Sequence, residues 1–310
     1  MNQQITILEA LSQEDTIRFW EALHQYHIRD VFPDPAQKEE LQYFLSGEYQ
    51  DGIQRAHDRA ENRCRYFFFR QENREIGFAL AALFTGEDEK LFILEFCIYP
   101  EYRSRGLGHA CAGALLDWSR EQGGRYAELN CAGPERRLRF WKSIGFVPNG
   151  FDEWGEPLLL LPPKERIPFT VERLTDPEDW QLLKLENGFR QEVGEPCLTE
   201  AQQSRLQKAV QENRITFFMA KRGYRSIGMC SVAPLYSTFA CGDMGVMEDF
   251  YIEPAFRRQG AARLLQQAAH SWAAEQGYAD LSVTCAPCDE SMYRALGYEV
   301  PLGLTLARMS

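Results

Sequence analysis

The chain has 310 residues, and 45% of them are hydrophobic, which is enough to form two cores of ordinary domain size. The formal net charge of −11 argues against nucleic acid or an anionic membrane as the main partner, and it suits a cationic substrate such as an amine. The sequence has no basic region followed by an apolar core at its start and no apolar stretch near the roughly 20 residues of a membrane span, so we expect neither a signal peptide nor a membrane segment.

The first half has the hydrophobic pattern of a mixed α/β domain. A helix begins after Ser12, whose side chain is an N-cap, and two apolar runs around the polar turn 71–74 predict a β-hairpin. The strands are predicted at residues 5–8, 65–69, 76–84, a run that ends at Pro100, 127–131 and terminal strands that reach Leu161. The helices are predicted from Ser12 toward His27, at 39–45, after the run that ends at Pro100, and at 136–142.

The second half repeats this order of elements. Its strands are predicted at residues 169–171, 215–220, 227–232, a run that ends before Pro254, 281–285 and 302–307. Its helices are predicted at 177–191 and 199–212, after Pro254, and in a segment that ends at Leu296. The helix after Pro254 is expected to turn Leu264, Leu265, Ala268 and Trp272 toward the core.

The two halves also share individual residues. A shift of 154 positions puts Arg103 on Arg257, Trp118 on Trp272 and Cys131 on Cys285, and a slightly smaller shift aligns the pair 76–77 with 227–228. Solenoid repeats are about 20–50 residues long, so a repeat of this length indicates a duplicated domain. We predict a first domain at residues 1–161, a polar, proline-bounded linker at 162–168 and a second domain at 169–310.

One short pattern lies in each half between an apolar run and an amphipathic run. Its copies are Arg103-Ser104-Arg105-Gly106-Leu107-Gly108 and Arg257-Arg258-Gln259-Gly260-Ala261-Ala262. Small residues at these positions let successive backbone N–H groups at a helix start converge on a phosphate, and we call each copy a cradle. A single copy could be a tight turn that caps a helix, but two copies in the same element order favour a phosphate site. Neither copy has the lysine of a nucleoside-triphosphate loop, and both lie too late in the domain for a dinucleotide fingerprint.

With these cradles, each half resembles an N-acetyltransferase domain of the GNAT superfamily, and the resemblance covers nearly the whole chain. The family's pattern is Arg or Gln, two residues, Gly, one residue, then Gly or Ala. The resemblance implies an α/β (α+β) fold, in which each acyl-CoA N-acyltransferase domain has a mixed, mainly antiparallel sheet flanked by helices. It also implies that the fourth and fifth strands splay apart and that acetyl-CoA enters the gap between them.

The resemblance further implies how the cofactor would lie in each half. Its pyrophosphate would contact the backbone amides of residues 105–108 and 259–262, and its pantetheine arm would pair with the nearby strand edge. The implied cofactor-binding residues are Cys97, Ile98, Arg103, Arg105, Gly106, Leu107 and Gly108, and Tyr251, Ile252, Arg257, Arg258, Gln259, Gly260, Ala261 and Ala262.

Acetyl transfer to an amine needs a base, because an aliphatic amine with a pKa of about 10.4 is mostly protonated at pH 7. The candidate bases precede the cradles: Glu95 in the first half, and Glu248 or Asp249 in the second. The candidate proton donor for the departing thiolate is Tyr293. The alternatives are that the acidic residues are ordinary carboxylates on the strand surface and that Tyr293 only packs against its neighbours. The first half has Trp141 in place of this tyrosine, and an indole N–H cannot protonate a thiolate, so we predict that the second half is catalytic.

The cysteines indicate no further cofactor. All nine are scattered, which is typical of reduced thiols, so we expect a cytoplasmic protein. Cys285 and Cys288 form a CxxC pair, but no further ligand pair accompanies it, and we predict no metal site. The sequence therefore indicates an acetyltransferase that uses acetyl-CoA to acetylate a primary amine of a small molecule or peptide. A catalytically idle acyl-CoA sensor or scaffold is the alternative, and transfer to a hydroxyl or of a longer acyl group is a third.

Overall fold

The computed structural model describes residues 5–57, 64–238 and 240–303. By contacts between residues, the chain divides into two compact units: residues 1–148 with 157–164, and residues 149–156 with 165–310. The predicted domains at 1–161 and 169–310 and the predicted linker at 162–168 were defined by the duplicated sequence segments, and these limits stay a prediction. Each unit combines a mainly antiparallel sheet with helices, which confirms the predicted fold class.

The first unit contains six strands of a sheet in which seven described strands have the order β1-β2-β3-β4-β5-β7-β6, and three of the five residues of β6 belong to the range of the second unit. The strands are β1 (Ile5–Glu9), β2 (Cys64–Gln71), β3 (Arg74–Phe84), β4 (Lys90–Ile98), β5 (Tyr126–Asn130), β6 (Val147–Phe151) and β7 (Pro157–Leu161). The helices are α1 (Gln13–Tyr26), α2 (Lys38–Phe44), α3 (Gly47–His57), α4 (Leu107–Glu121) and α5 (Glu135–Ile144). A five-residue π-helical turn, His27–Val31, continues α1.

The continuous apolar runs in β2 and β3 give this sheet two apolar faces, because successive side chains of a strand point to opposite sides. Phe67 and Phe69 pack in one cluster with Leu115 of α4. Phe68 lies in the cluster on the other face with Phe19 of α1. Helices therefore cover both faces, and the cradle helix α4 packs on the face that contains Phe67 and Phe69.

The second unit repeats this design with a sheet of five described strands in the order β12-β11-β10-β9-β8. The strands are β8 (Thr170–Arg173), β9 (Thr216–Arg222), β10 (Arg225–Ser237), β11 (Gly242–Ile252) and β12 (Leu281–Val283). The helices are α6 (Trp180–Glu192), α7 (Glu200–Gln211), α8 (Ala261–Glu275) and α9 (Glu290–Ala295). Within the described ranges, no helix of either unit is long and apolar enough to cross a membrane.

In each unit the parallel strand pair next to the cradle opens after three residue pairs. Strands β4 and β5 pair from Lys90 with Tyr126 to Phe92 with Glu128, although β4 continues to Ile98. Strands β11 and β12 pair over 245–247 and 281–283, although β11 continues to Ile252. Both units therefore have the splayed strands that the resemblance implies.

A β-bulge lies just beyond each opening. Leu80 pairs with Glu95 and Ala81 with Ile93, so Leu94 is the extra residue on β4. In the second unit, Ser231 lies opposite both Glu248 and Asp249. Bulges turn strands and re-aim side chains, and here they lie at the candidate bases of both units.

Three details differ from the sequence-based expectations. Helix α3 was not predicted, because its segment begins with Gly47 and contains a second glycine, and both lower helix propensity. Leu264 was expected to face the core, but it is exposed, and α8 instead buries Leu265, Ala269 and Ala273. In the predicted closing strand, residues 302–303 are not in a strand and 304–307 lie outside the described residues.

The aligned glycines of β3 and β10 explain why the pairs 76–77 and 227–228 recur. A Cβ at Gly77 would lie 2.2 Å from the Cys97 carbonyl oxygen, and one at Gly228 would lie 2.8 Å from the Tyr251 carbonyl oxygen. We expect Gly77→Ala to lower the free energy of unfolding by roughly 1–3 kcal/mol, because the end of β4 would have to move. Urea denaturation measures this.

The matched control for this substitution is Gly113→Ala in helix α4. A Cβ there has nothing within 4 Å, so alanine should be neutral or stabilising by about 0.5–1 kcal/mol. Equal effects of the two substitutions would contradict the role of close backbone contact at Gly77.

Candidate functional site

A cavity of about 700 Å³ opens in the first unit where β4 and β5 separate. Both strand ends, the cradle and α5 contribute to its wall, and Tyr26 of α1 closes one side. Six of the residues predicted from the sequence line it: Glu95, Cys97, Ile98, Arg103, Gly106 and Gly108. The strand opening and the cradle thus belong to one continuous site.

The backbone of the two cradles has the same conformation. Ser104 and Gly106 have φ values of 62° and 76°, and the aligned Arg258 and Gly260 have 59° and 100°. Gly106 and Gly260 are the N-caps of α4 and α8, neither with a side-chain cap. The first N–H groups of a helix have no partner within the helix, and the helix dipole favours an anion there. Both cradles can therefore hold a phosphate with main-chain groups.

The first arginine of each cradle stabilises the scaffold. Arg103 donates from Nε to the Ile98 carbonyl oxygen at 2.7 Å and forms a fork with Asp30 at 2.9 and 2.8 Å. The bonds from Arg103, together with those from Arg29, lower the pKa of Asp30 to about 2. Arg257 likewise donates to the Ile252 carbonyl oxygen at 2.8 Å and pairs with Glu192. Each arginine thus fixes a strand end to a carboxylate.

Glu95 has a buried partner. Its Oε1 lies 3.1 Å from Nε2 of His27, which is 1% exposed at the first position of the π-helical turn. The Glu95 side chain is 17% exposed and lines the cavity. It is therefore a carboxylate at the splayed strands that is held in place and still accessible.

Aromatic rings surround this pair. Phe44 lies 5.3 Å and Tyr49 5.9 Å from the His27 ring, measured between centroids, and Phe32 packs on Phe44 at 4.8 Å. Burial raises the pKa of Tyr26 and of Tyr49 above the ordinary tyrosine range. The His27 side of Glu95 is therefore an apolar, aromatic environment.

In the second unit the candidate base Asp249 lies beside other polar groups. The Ser231 hydroxyl donates to Asp249 Oδ2 at 3.0 Å and accepts from the Asp249 N–H at 3.0 Å. Burial raises the pKa of Asp249, and the Ser231 bond opposes this shift. Burial, together with repulsion from Asp249, raises the pKa of Glu186 on α6 to about 7. Glu248, the other candidate base, is exposed.

The candidate proton donor and its counterpart differ as the sequence predicts. Tyr293 on α9 is half-buried, with its ring 6.1 Å from Phe250 and 5.8 Å from Tyr298, and burial raises its pKa to about 12. Trp141 in the first unit is 8% exposed and packs against Phe96 and Phe146. The first unit has an indole where the second has a phenol.

We expect Glu186→Gln to stabilise the second unit at neutral and alkaline pH. The pKa of Glu186 rises from 4.5 to about 7 on folding, so the folded state holds a proton that the unfolded state releases between these values. Wild-type stability should therefore fall as pH rises through this window, by about 3 kcal/mol at most. Urea denaturation at pH 5 and pH 8 measures the difference.

Glu178→Gln is the control for this prediction, since Glu178 is an exposed residue. It should change stability little and equally at both pH values. A Glu186→Gln variant that is no more stable than wild type at pH 8 would show that Glu186 is ionised in the folded protein without cost.

Comparison with known proteins gives the family. Residues 18–146 and 180–298 match the model of the acetyltransferase (GNAT) family, which covers well over half of the chain. The chain belongs to this family. The two matched segments are its first and second GNAT domains, and they agree with the predicted duplication. A search of curated protein sequences finds no match.

Solved structures similar to this chain include several acetyltransferases. One is an aminoglycoside acetyltransferase from an uncultured soil metagenomic sample in complex with trehalose, with 17% identity over 46% of this chain and 95% of that chain and a TM-score of 0.42. Another is an aminoglycoside N-acetyltransferase in complex with CoA, with 18% identity over 47% and 97% and a TM-score of 0.40. A third, from Acinetobacter baumannii, has 14% identity over 46% and 99% and a TM-score of 0.39. We infer no acceptor from likeness at this level.

Not all predicted cofactor residues of the GNAT domains face a gap. Five of them have buried side chains and can offer only main-chain groups: Cys97, Leu107, Tyr251, Ile252 and Ala261. Arg105, Arg258 and Gln259 are exposed at the cradles. Their contacts with a cofactor, and those of Ala262, stay predictions.

The sequence analysis did not single out Asp30, Glu186 or Glu192, and it named His27 only as the residue toward which the first helix runs. A signal existed for His27, which continues the buried series Phe19, Leu23 at intervals of four along α1. Glu186 likewise follows the buried Leu182 on α6 at an interval of four. For Asp30 and Glu192 the sequence has no comparable signal.

Proposed function

We propose that this protein transfers the acetyl group of acetyl-CoA to a primary amine of a small molecule or peptide by direct attack, and that its first GNAT domain carries the reaction. The observation that supports this best is the cavity of about 700 Å³, because one space is bounded by the cradle, the open edge of β4 and Glu95. Acetyl-CoA, when bound, supplies the thioester.

The first domain fits this cosubstrate through main-chain groups. The N–H groups at the start of α4 would hold the pyrophosphate, with Gly106 and Gly108 keeping side chains away from it. In the described part of the sheet, strand β4 is not paired with β5 beyond Phe92, and this edge would pair with the pantetheine arm. An N–H of this edge would stabilise the oxyanion of the tetrahedral intermediate.

Glu95 would supply the proton transfer. It lines the cavity and would accept a proton from the acceptor ammonium, directly or through a water molecule. Deprotonation of such an amine at pH 7 costs roughly 4–5 kcal/mol, so a positioned carboxylate is worth a large rate factor. When the C–N bond forms and the C–S bond breaks, the nitrogen loses its second proton, and a water molecule would take up that proton while it gives one to the departing thiolate, because Trp141 cannot act as the acid.

A second assignment of the reaction, to the second GNAT domain, is favoured by one observation. Tyr293 is half-buried, and its ring lies next to that of Phe250 on β11. Phe250 directly follows the candidate base Asp249 in the sequence. The sequence-based prediction that the second domain is catalytic rests on this tyrosine. On our proposal the second domain binds acetyl-CoA or supports the first.

Release of free thiol from acetyl-CoA with a panel of primary amines tests the function. We expect amine-dependent release with matched formation of an acetylamide, and little release with alcohols of the same carbon skeleton. Binding of CoA without turnover on any amine would favour the alternative, an idle acyl-CoA sensor or scaffold. The reaction is assigned to the cytoplasm, as the scattered thiols predict.

A further inference from the structure

His27 is an unusual residue for the position that it occupies. Its ring is 1% exposed and lies among Tyr26, Phe32, Phe44 and Tyr49, with centroid distances of 5.3 to 6.3 Å. A fully apolar side chain would fill such a place without a desolvation cost. A histidine at this buried position is therefore explained by a polar contact of its imidazole.

That contact is a single hydrogen bond to Glu95. Within the described residues, Nδ1 of His27 is buried without a hydrogen-bond partner, and the bond between Nε2 and Glu95 Oε1 is the one hydrogen bond of each side chain. An ionised carboxylate can only accept, so the proton between these atoms is on Nε2. A proton on Nδ1 would be buried with no acceptor, which is costly. The geometry thus selects the Nε2–H tautomer.

We propose that His27 is a positioning residue for Glu95, which rests on the assignment of Glu95 as the base of the proposed acetyl transfer. Its Nε2–H donates to Oε1 and fixes the rotamer of Glu95. Oε2 then remains to accept the proton of the acceptor ammonium. The imidazole keeps its own proton throughout, so the pair is not a proton relay.

The π-helical turn gives His27 a second connection to the site. His27 contacts the base, and Asp30, three residues later on the same turn, holds the cradle arginine Arg103. The turn is closed by the Phe32 N–H, which donates to the His27 carbonyl oxygen at 2.9 Å. Base and cradle are therefore positioned by one segment, and π-helical turns frequently occur at functional sites.

A pair of amide substitutions tests the role of the bond. The amide nitrogen of Gln can take the place of Nε2, whereas that of Asn corresponds to Nδ1. We expect His27→Gln to keep kcat within about threefold of wild type and His27→Asn to lower kcat about 10- to 100-fold, by analogy with the loss seen when the hydrogen-bond partner of a metal ligand is removed. The KM for acetyl-CoA should change in neither. Similar kcat values for the two variants would overturn the proposal.

His24 provides the matched control. It lies on α1, and among the described residues its Nε2 is also buried without a hydrogen-bond partner, so it has no bond to a carboxylate like that of His27. His24→Gln and His24→Asn should have the same kcat as each other. A difference like that between the His27 variants would show that the amide position affects α1 packing rather than Glu95, and it would overturn the proposal.

A measurement on the folded protein separates this inference from the proposed function and from any failure of a variant to fold. Long-range ¹⁵N–¹H spectra with labelled histidine report the tautomer of each of the five histidines. We expect the Nε2–H form for His27 and a shift of its Nε2 signal in Glu95→Gln. The Nδ1–H form, or no shift, would overturn the proposal even if the enzyme is active. Absent turnover with the expected spectra would instead contradict the proposed function and leave the His27–Glu95 bond established.

Discussion

Gly106→Glu is expected to abolish acetyl-CoA binding in the first GNAT domain and to lower kcat/KM at least 100-fold. Gly106 has a φ of 76°, and a Cβ there would have nothing within 4 Å, so a side chain fits but projects from the cradle. Its carboxylate would repel the pyrophosphate at the helix start, where the backbone favours a bound anion. The left-handed backbone adds about 1–2 kcal/mol of strain. Calorimetric CoA stoichiometry and turnover measure both effects.

Two substitutions control this experiment. Gly106→Ala introduces the same backbone strain without the charge and should keep most of the CoA affinity. Gly260→Glu makes the equivalent change in the second domain, at a φ of 100°. It should keep turnover, and it should reduce the number of CoA molecules bound per chain if the second domain also binds CoA. Activity that survives Gly106→Glu but is lost in Gly260→Glu would contradict the proposed assignment and place the reaction beside Tyr293.

Glu95→Gln is expected to lower kcat/KM for the amine by about 10²–10⁴ at pH 7, because the acceptor ammonium loses its base. The affinity for CoA should remain, since the cradle is main chain. The defect should shrink as pH approaches about 10, where a primary amine deprotonates in solution without help. Initial rates between pH 6.5 and 9.5, with CoA binding measured in parallel, provide the test.

Asp249→Asn is the matched control, because Asp249 aligns with Glu95 and also lies at a bulge. Its turnover should stay close to that of wild type if the first domain carries the reaction. A large loss in Asp249→Asn with full activity in Glu95→Gln would exchange the roles of the two domains. Equal losses in both variants would indicate two active sites.

The features that the sequence predicted well are those that the backbone imposes. The cradles need glycine at positive φ at Gly106 and Gly260, so they are visible as motifs. The hairpin glycines Gly77 and Gly228 recur because a Cβ would meet a carbonyl oxygen of the next strand. Element order follows from hydrophobic periodicity, and it agrees with the structure in both units apart from α3 and the end of the chain.

The partners of the functional side chains were less accessible to sequence analysis. Asp30 meets Arg103 across 73 positions, and it does so from a π-helical turn that no local pattern announces. Glu186 and Asp249 lie on different elements, and they interact because α6 packs on the sheet. The sequence alone does not show that these two carboxyl groups are buried near each other. The cavity that Glu95 lines is a three-dimensional feature that no sequence motif shows. The sequence therefore favours Tyr293, whereas our proposal rests on the cavity beside Glu95.

The short parallel pairing of β4 with β5, and of β11 with β12, has an evolutionary consequence. The opened edge and the cradle present main-chain groups, which every residue except proline carries. A duplicated copy can therefore replace most side chains around the gap and still retain the place for the shared cosubstrate. The side chains beside the gap are under no such restraint, and there one copy has His27 with Glu95 while the other has Glu186 with Asp249. Tandem duplication on this fold can therefore leave the main-chain features of the gap unchanged while the side chains around it diverge.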